Sequence, residues 1–171
     1  MSILKWLPDI IPFSNFNSDL NKYLDHLHNI FKRDFIDSRL LYNNKLVLFD
    51  NREINNYPVC FWHLVTEDKT KDYNRVDIEN ISLLRCERIC WIRPMIENHT
   101  HDAISVWENT RYNRGKKNNI VFFIEDCDYV VILTNVKNRF YLVTAYFVNY
   151  PNRKKQLIQE RDNFLQCKNR P

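Results

Sequence analysis

The spacing of apolar residues divides the chain into helical and extended segments. From Asn17 to Phe35, Leu20, Tyr23, Leu24, Leu27, Ile30, Phe31 and Phe35 recur with the helical period. Asn17 or Ser18 is the expected N-cap. "NKLVLFDN" (residues 44–51) is a short apolar run between turn residues and predicts a strand. "PVCFWHLVTE" (58–67) predicts a second strand, entered through Pro58. From Asp77 to Met95, Ile81, Leu84, Arg85, Arg88 and Ile89 suggest a helix that stops before Pro94. "HDAISVWENT" (101–110) reads as a short helix with Ala103, Ile104, Val106 and Trp107 on one face.

Beyond residue 117 the pattern becomes extended. "NNIVFFIED", "DYVVILTN" and "NRFYLVTAYFVN" are three β-rich runs separated by tight-turn compositions, which predicts an antiparallel meander. Pro151 ends the last run. "NRKKQLIQERDNFLQC" then predicts an amphipathic helix capped by Asn152, with Leu157, Ile158 and Leu165 toward the sheet. The predicted order is α-β-β-α-α-β-β-β-α. It describes one α+β domain over residues 1–171, with an N-terminal helical segment to about 40 and a core of about 44–166. The three late strands and one or two early ones form the antiparallel sheet, with the helices packed on one side.

Composition narrows the chemistry. The 171 residues suffice for one domain with a real core. Gly115 is the one glycine. Turns must therefore rely on Asn and Asp, which tolerate the left-handed region best after Gly. Phosphate-cradling loops that need several glycines cannot be written with this sequence. The five cysteines, Cys60, Cys86, Cys90, Cys127 and Cys167, are odd in number. "MSILKWLPDIIPF" is too short and too interrupted for a secretory or membrane segment. A cytoplasmic protein with reduced thiols is the expectation. Cys86 and Cys90 lack a second pair at zinc-site spacing, so no metal and no cofactor is expected. "HTH" (99–101) reads as a helix start rather than a ligand set.

The net charge is +4, and its distribution is uneven. "RYNRGKKNN" carries Arg111, Arg114, Lys116 and Lys117 with no acid. Lys137, Arg139, Arg153, Lys154 and Lys155 form a second acid-free stretch. These are either solvated loops or contacts for a polyanion.

Period two places His63 with Phe61 and Val65 on one predicted strand face, and Thr144 with Leu142 and Tyr146 on another. Buried imidazole, hydroxyl and phenol groups need partners. They either satisfy one another in the core or line a cleft. In "RCERICWIRPMIEN" (85–98), Arg88 and Arg93, with Glu87 and Glu97, flank Trp91. An imidazole with an ordinary pKa of about 6.5, an arginine for the phosphate and a positioning hydroxyl are the parts for cleaving RNA without a metal.

"FWHLVTED", "RCERICWIRPMIEN" and "DYVVILTNVKNRFYLVTAYFVNYPNRKKQL", taken together and in order, resemble the phage-barnase–EndoU–colicin–RelE-like (BECR) nucleases, small bacterial and prophage-encoded proteins. The likeness runs from about Lys45 to Phe164. It implies a BECR/RelE-like antiparallel sheet with a cleft on the sheet face. The implied activity is metal-independent endoribonuclease cleavage to a 2′,3′-cyclic phosphate, toxin-like or phage-related. The catalytic roles fall by resemblance on His63, on Arg93 or Arg88, and on Thr144 with Tyr146, with Glu97 orienting an arginine. Arg111, Arg114, Lys116, Lys117, Arg139 and Trp91 are the expected RNA-binding residues. The expected partners are RNA, such as tRNA, and a protein antitoxin or inhibitor. Two other functions fit the same residues: a non-catalytic RNA- or protein-binding module, and an antitoxin or immunity protein.

Overall fold

The computed structural model describes residues 4–67, 78–111 and 117–168. Leu20–Phe31 forms α1, with Tyr23, Leu24, Leu27 and Phe31 buried. Its N-cap is Asp19, whose carboxylate accepts from the Lys22 N–H at 3.1 Å. This corrects the expected caps. Asn17 and Ser18 both take positive φ, 53° and 60°, so they form the turn before the helix.

Among the described residues, six strands make one sheet in the order β1-β2-β8-β7-β6-β5. They are β1 (Leu41–Tyr42), β2 (Lys45–Leu48), β5 (Ser105–Arg111), β6 (Lys117–Ile124), β7 (Tyr129–Val136) and β8 (Arg139–Phe147). The ribbon β3 (Glu53–Ile54) and β4 (Tyr57–Pro58) stands apart. From β5 to β8 every neighbour is antiparallel, while β2 joins β8 in parallel. The α+β class and the predicted meander are both present. The two-residue hairpins place Asn43 and Asn44, Asn55 and Asn56, and Lys137 and Asn138 at positive φ. A type I′ turn requires this at both central positions, and asparagine takes it in place of the missing glycines.

Two segments exchange their expected classes. "PVCFWHLVTE" is the helix α2 (Val59–Val65). Every residue of α2 except His63 is buried, so the segment carries little polar face to display a helical period. Pro58 is its N-cap, and the carbonyls of Arg52 and Asp50 take the unpaired N–H groups of Val59 and Cys60. "HDAISVWENT" instead contributes to β5, which pairs Val106 with Phe122 and Trp107 with Val121. The spacing of Ile104, Val106 and Trp107 fits either class, and pairing with β6 decides it.

The single helix expected before Pro94 is divided into two short ones, α3 (Leu83–Cys86), which precedes Pro94, and α4 (Ile92–Glu97), which contains it. Pro94 lies in the first turn of α4, where its missing N–H has no intrahelical partner to lose, so the helix does not stop before it. The last helix, α5, spans Pro151–Lys168. Pro151 takes the first position, and the Tyr150 carbonyl accepts from Arg153 and Lys154. Asn152 is therefore inside the helix and not its cap. Leu157 is buried, Ile158 and Phe164 pack partly, and Leu165 is exposed.

Helices cover both sheet faces, not one. Ile120, Phe122, Ile124, Val131 and Leu133 pack with residues of α1, α2 and α4. Val121, Phe123, Val130 and Ile132 pack with Trp107 and with Leu157 of α5. The continuous apolar runs "IVFFI" and "YVVIL" belong to strands buried on both faces. Among the described residues, no helix is long and apolar enough to cross a membrane.

Candidate functional site

The chemistry gathers along the outer edge of β8. β2 covers that edge only at Phe140 and Tyr141. Beyond them α2 and α3 take the place of a strand. Cys60 Sγ lies 3.7 Å from the Leu142 carbonyl, and Arg85 Nη1 donates to the Ala145 carbonyl at 3.0 Å. Buried backbone acceptors without a ladder partner need such donors.

A β-bulge shapes this edge. Ile132 pairs with Thr144 and Leu133 with Leu142, so Val143 is the extra residue. The bulge shifts the alternation of side chains by one. Phe140 and Leu142 face the helical core before it, and Ala145 and Phe147 face that core after it. Tyr146 turns toward the Trp107 cluster beneath α5. The shared face expected for Leu142, Thr144 and Tyr146 is therefore broken.

Thr144 sits at the centre. Its Oγ1 donates to the His63 carbonyl at 3.1 Å and accepts from Arg85 Nη1 at 3.0 Å. Arg85 Nη1 also reaches the His63 carbonyl at 3.3 Å. The C-terminal turn of α2, α3 and β8 thus meet at one hydroxyl and one guanidinium.

Two open hollows flank this junction. The first, of about 450 Å³, is lined by His63, Asp50, Asn51, Cys60 and Tyr141, among others. Asp50 is held below the usual carboxylate range by hydrogen bonds and charge from Arg52, with a smaller contribution from His63. It therefore stands as an anion beside the imidazole at neutral pH. The second hollow, of about 240 Å³, is lined by Arg85, Tyr146, Arg153, Tyr150, Ser82 and Glu67, among others. Arg153 donates to the Tyr146 hydroxyl from Nη2 at 3.0 Å and from Nε at 3.3 Å. The Arg85 guanidinium carbon lies 5.3 Å from the Tyr146 ring centroid.

The other predicted residues lie elsewhere. Arg93 is bound to Glu97 Oε1 at 2.7 Å, to the carbonyls of Asp34 and Arg39, and to Ser38 Oγ at 2.7 Å. Glu97 does orient an arginine, but this pair ties α4 to the chain after α1. Arg88 is largely buried, bonded to the Leu84 carbonyl and Glu87, with its guanidinium over Trp91 and Phe147. Trp91 is buried and donates to the Pro8 carbonyl, so it offers no stacking surface. Arg139 is exposed at the start of β8, beside Lys45. Arg111 and Lys117 are the paired ends of β5 and β6, and Arg114 and Lys116 lie outside the described residues. In the "HTH" run, His99 Nδ1 meets the Ile96 carbonyl and His101 Nδ1 accepts from the Ala103 N–H.

The structure thus brings Thr144 to α2 at His63, and separates both from Arg93 and Arg88. Arg85 is the residue that sequence reasoning missed. It occupies the same kind of position in the same run as Arg88, and no spacing rule separates them. The buried thiols offer no competing nucleophile. Burial raises all three, Cys86 to about 12 and Cys90 to about 11, and Cys60 further.

Comparison with known proteins finds no matching family model, no matching curated relative and no matching solved structure.

Proposed function

We propose that this protein is an endoribonuclease that cleaves RNA without a metal, working along the outer edge of β8. The observation that carries this reading is the junction at Thr144, where the Arg85 guanidinium and the α2 turn bearing His63 meet at one hydroxyl. The phosphodiester lies across Thr144 with its 2′-hydroxyl toward the His63 hollow. His63 takes the proton from the 2′-hydroxyl. The 2′-oxygen forms the new bond to phosphorus, the bond from phosphorus to the 5′-oxygen breaks, and solvent protonates the departing oxygen. Arg85 offsets the charge that gathers on the phosphoryl oxygens. Asp50 is placed to stabilise the imidazolium that forms.

The test is incubation of the purified protein with tRNA and other RNAs in EDTA. The expected result is shorter fragments ending in 2′,3′-cyclic phosphate. Intact RNA at high protein concentration across several substrates overturns the cleavage step. Salt-sensitive binding without product would assign the same edge to a binding module.

A further inference from the structure

Among the described residues, the sheet face that carries α5 is covered over only part of its width. Trp107, Val121, Phe123, Val130 and Ile132 lie beneath Leu157 of α5. The same face continues across β1, β2 and the start of β8, where no side chain belongs to that cluster. Register draws one row there. Leu41 pairs with Leu46, and Arg139 pairs with Val136. Val47 pairs with Phe140 in parallel, so Leu46 and Arg139 are neighbours one step earlier. Val47 and Phe140 face the helical core, so this row faces away from it. Leu41, Leu46 and Val136 are 50%, 43% and 48% exposed. Leu48 follows Leu46 on the same face. A scattered exposed leucine is ordinary, but apolar side chains aligned across adjacent strands make a patch.

A hollow of about 500 Å³ opens on this row, lined by Lys45, Leu46, Leu48, Asn138 and Arg139. No acid lines it, and among the described residues Lys45, Lys137 and Arg139 make no ion pair. Asp50, which follows β2, lines the His63 hollow instead and is bound to Arg52. We propose that this patch docks an acidic amphipathic helix of a partner protein, with leucine-like side chains against Leu41, Leu46 and Leu48 and carboxylates toward Lys45 and Arg139. The covered half of the face shows the pattern. There α5 sets Leu157 on the sheet, while its Lys154 and Arg161 bind Asp128 and Glu125, both at 2.7 Å, at the turn between β6 and β7. The open half has an apolar floor too, with the sign of its flanking charge reversed. A second copy of the chain would set the same cations from each copy into one two-fold interface. Leucines offer a nucleic-acid base no ring to stack on. The patch shares no lining residue with the His63 hollow, so the proposal does not depend on RNA cleavage.

The probe is a synthetic peptide of roughly 18 residues, long enough to form a helix, with leucines on one helical face and glutamates flanking them. It is fluorescently labelled and read by anisotropy against the full chain. Two controls accompany it: one with lysine in place of each glutamate, and one of the same composition with the leucines scattered around the helix. The glutamate peptide is expected to bind, less tightly as salt rises, and both controls at least about tenfold more weakly. Leu46→Asp should weaken the glutamate peptide about tenfold or more. Arg139→Glu should weaken it by roughly tenfold and tighten the lysine peptide. Thermal unfolding checks that each variant keeps its fold, and Arg139→Glu, at an exposed position, carries the test if Leu46→Asp does not fold. A wild-type protein that does not bind the glutamate peptide overturns the proposal. So does binding that both variants retain, or that the scattered peptide matches. Self-association lost in Leu46→Asp would assign the patch to a second copy, and RNA binding lost in Arg139→Glu without peptide binding would assign it to nucleic acid. Either result overturns the helix-docking proposal.

Discussion

The two hollows on either side of Thr144 have no lining residue in common and differ in the groups they hold. The His63 hollow contains a titratable ring beside a carboxylate already committed to Arg52. The Tyr146 hollow contains two guanidinium groups that stay charged at any working pH, with the Glu67 carboxylate in the same lining. A group that exchanges protons suits bond making and breaking. Groups of fixed charge suit holding a polyanion in register. One extended edge can therefore divide chemistry from positioning, with Thr144 and Arg85 spanning the division.

The largest effect expected from this division comes at His63. His63→Ala should lower the cleavage rate by about two to four orders of magnitude and leave RNA binding intact. An unchanged rate with an unchanged fold would remove the distinction between the hollows. Arg85→Gln comes next, because Arg85 serves both sides. It should lower cleavage by about 10²- to 10³-fold and weaken binding as well. Loss of cleavage alone would confine Arg85 to the His63 side.

Arg93→Ala sharpens the comparison from outside it. Its guanidinium ties α4 to the Asp34 and Arg39 carbonyls and to Ser38. Urea unfolding should show a loss of roughly 1–3 kcal/mol. Cleavage and RNA binding below the unfolding transition should stay at wild-type levels. A selective loss of activity would return Arg93 to the site.

The smallest effect concerns Asp50. Its folded pKa lies below the ordinary 3.8, so its contribution to stability is present above that value and lost as pH falls through the folded value. Asp50→Asn removes this dependence. The difference in unfolding midpoint between variant and wild type should therefore be largest near neutrality and shrink as the pH drops below 3.8. A difference that is constant with pH would show that Arg52 does not hold the carboxylate in solution.

Much of the scaffold was legible without coordinates. α1 and α5 show helical spacing because each turns one face to the core. The meander shows because its runs are separated by residues that accept tight turns, and the paired asparagines take the positive φ those turns need. The segment from Pro58 to Val65 was not legible. A short helix buried nearly all round loses the polar face that marks its period, and its aromatic, β-branched residues imitate a strand. β5 failed in the opposite direction, because its apolar spacing fits a helix until β6 is placed beside it.

The candidate site was legible in its residue types and not in its membership. His63 and Thr144 do meet, but at the His63 backbone carbonyl on a helix, not as side chains across strand faces. Period two cannot anticipate the bulge at Val143, since the extra residue is defined only by the partner strand. Nor can spacing tell three arginines of one short run apart. Arg85, Arg88 and Arg93 share a chemistry and a neighbourhood in sequence. One reaches the edge of β8, one lies over Trp91 and Phe147, and one clamps the chain after α1.

By itself the sequence determined the α+β composition, the late antiparallel meander, the terminal helices and the use of asparagine where glycine is missing. These follow from local conformational preference and from the periodicity of half-buried elements. Only the tertiary structure decided that α2 is a helix, that β8 bulges at Val143, and that Arg85 joins Thr144 while Arg88 and Arg93 do not. The reason is the same in each case. A fully buried segment carries no period, and an arginine is assigned by whichever carbonyls and rings the folded chain brings within its reach.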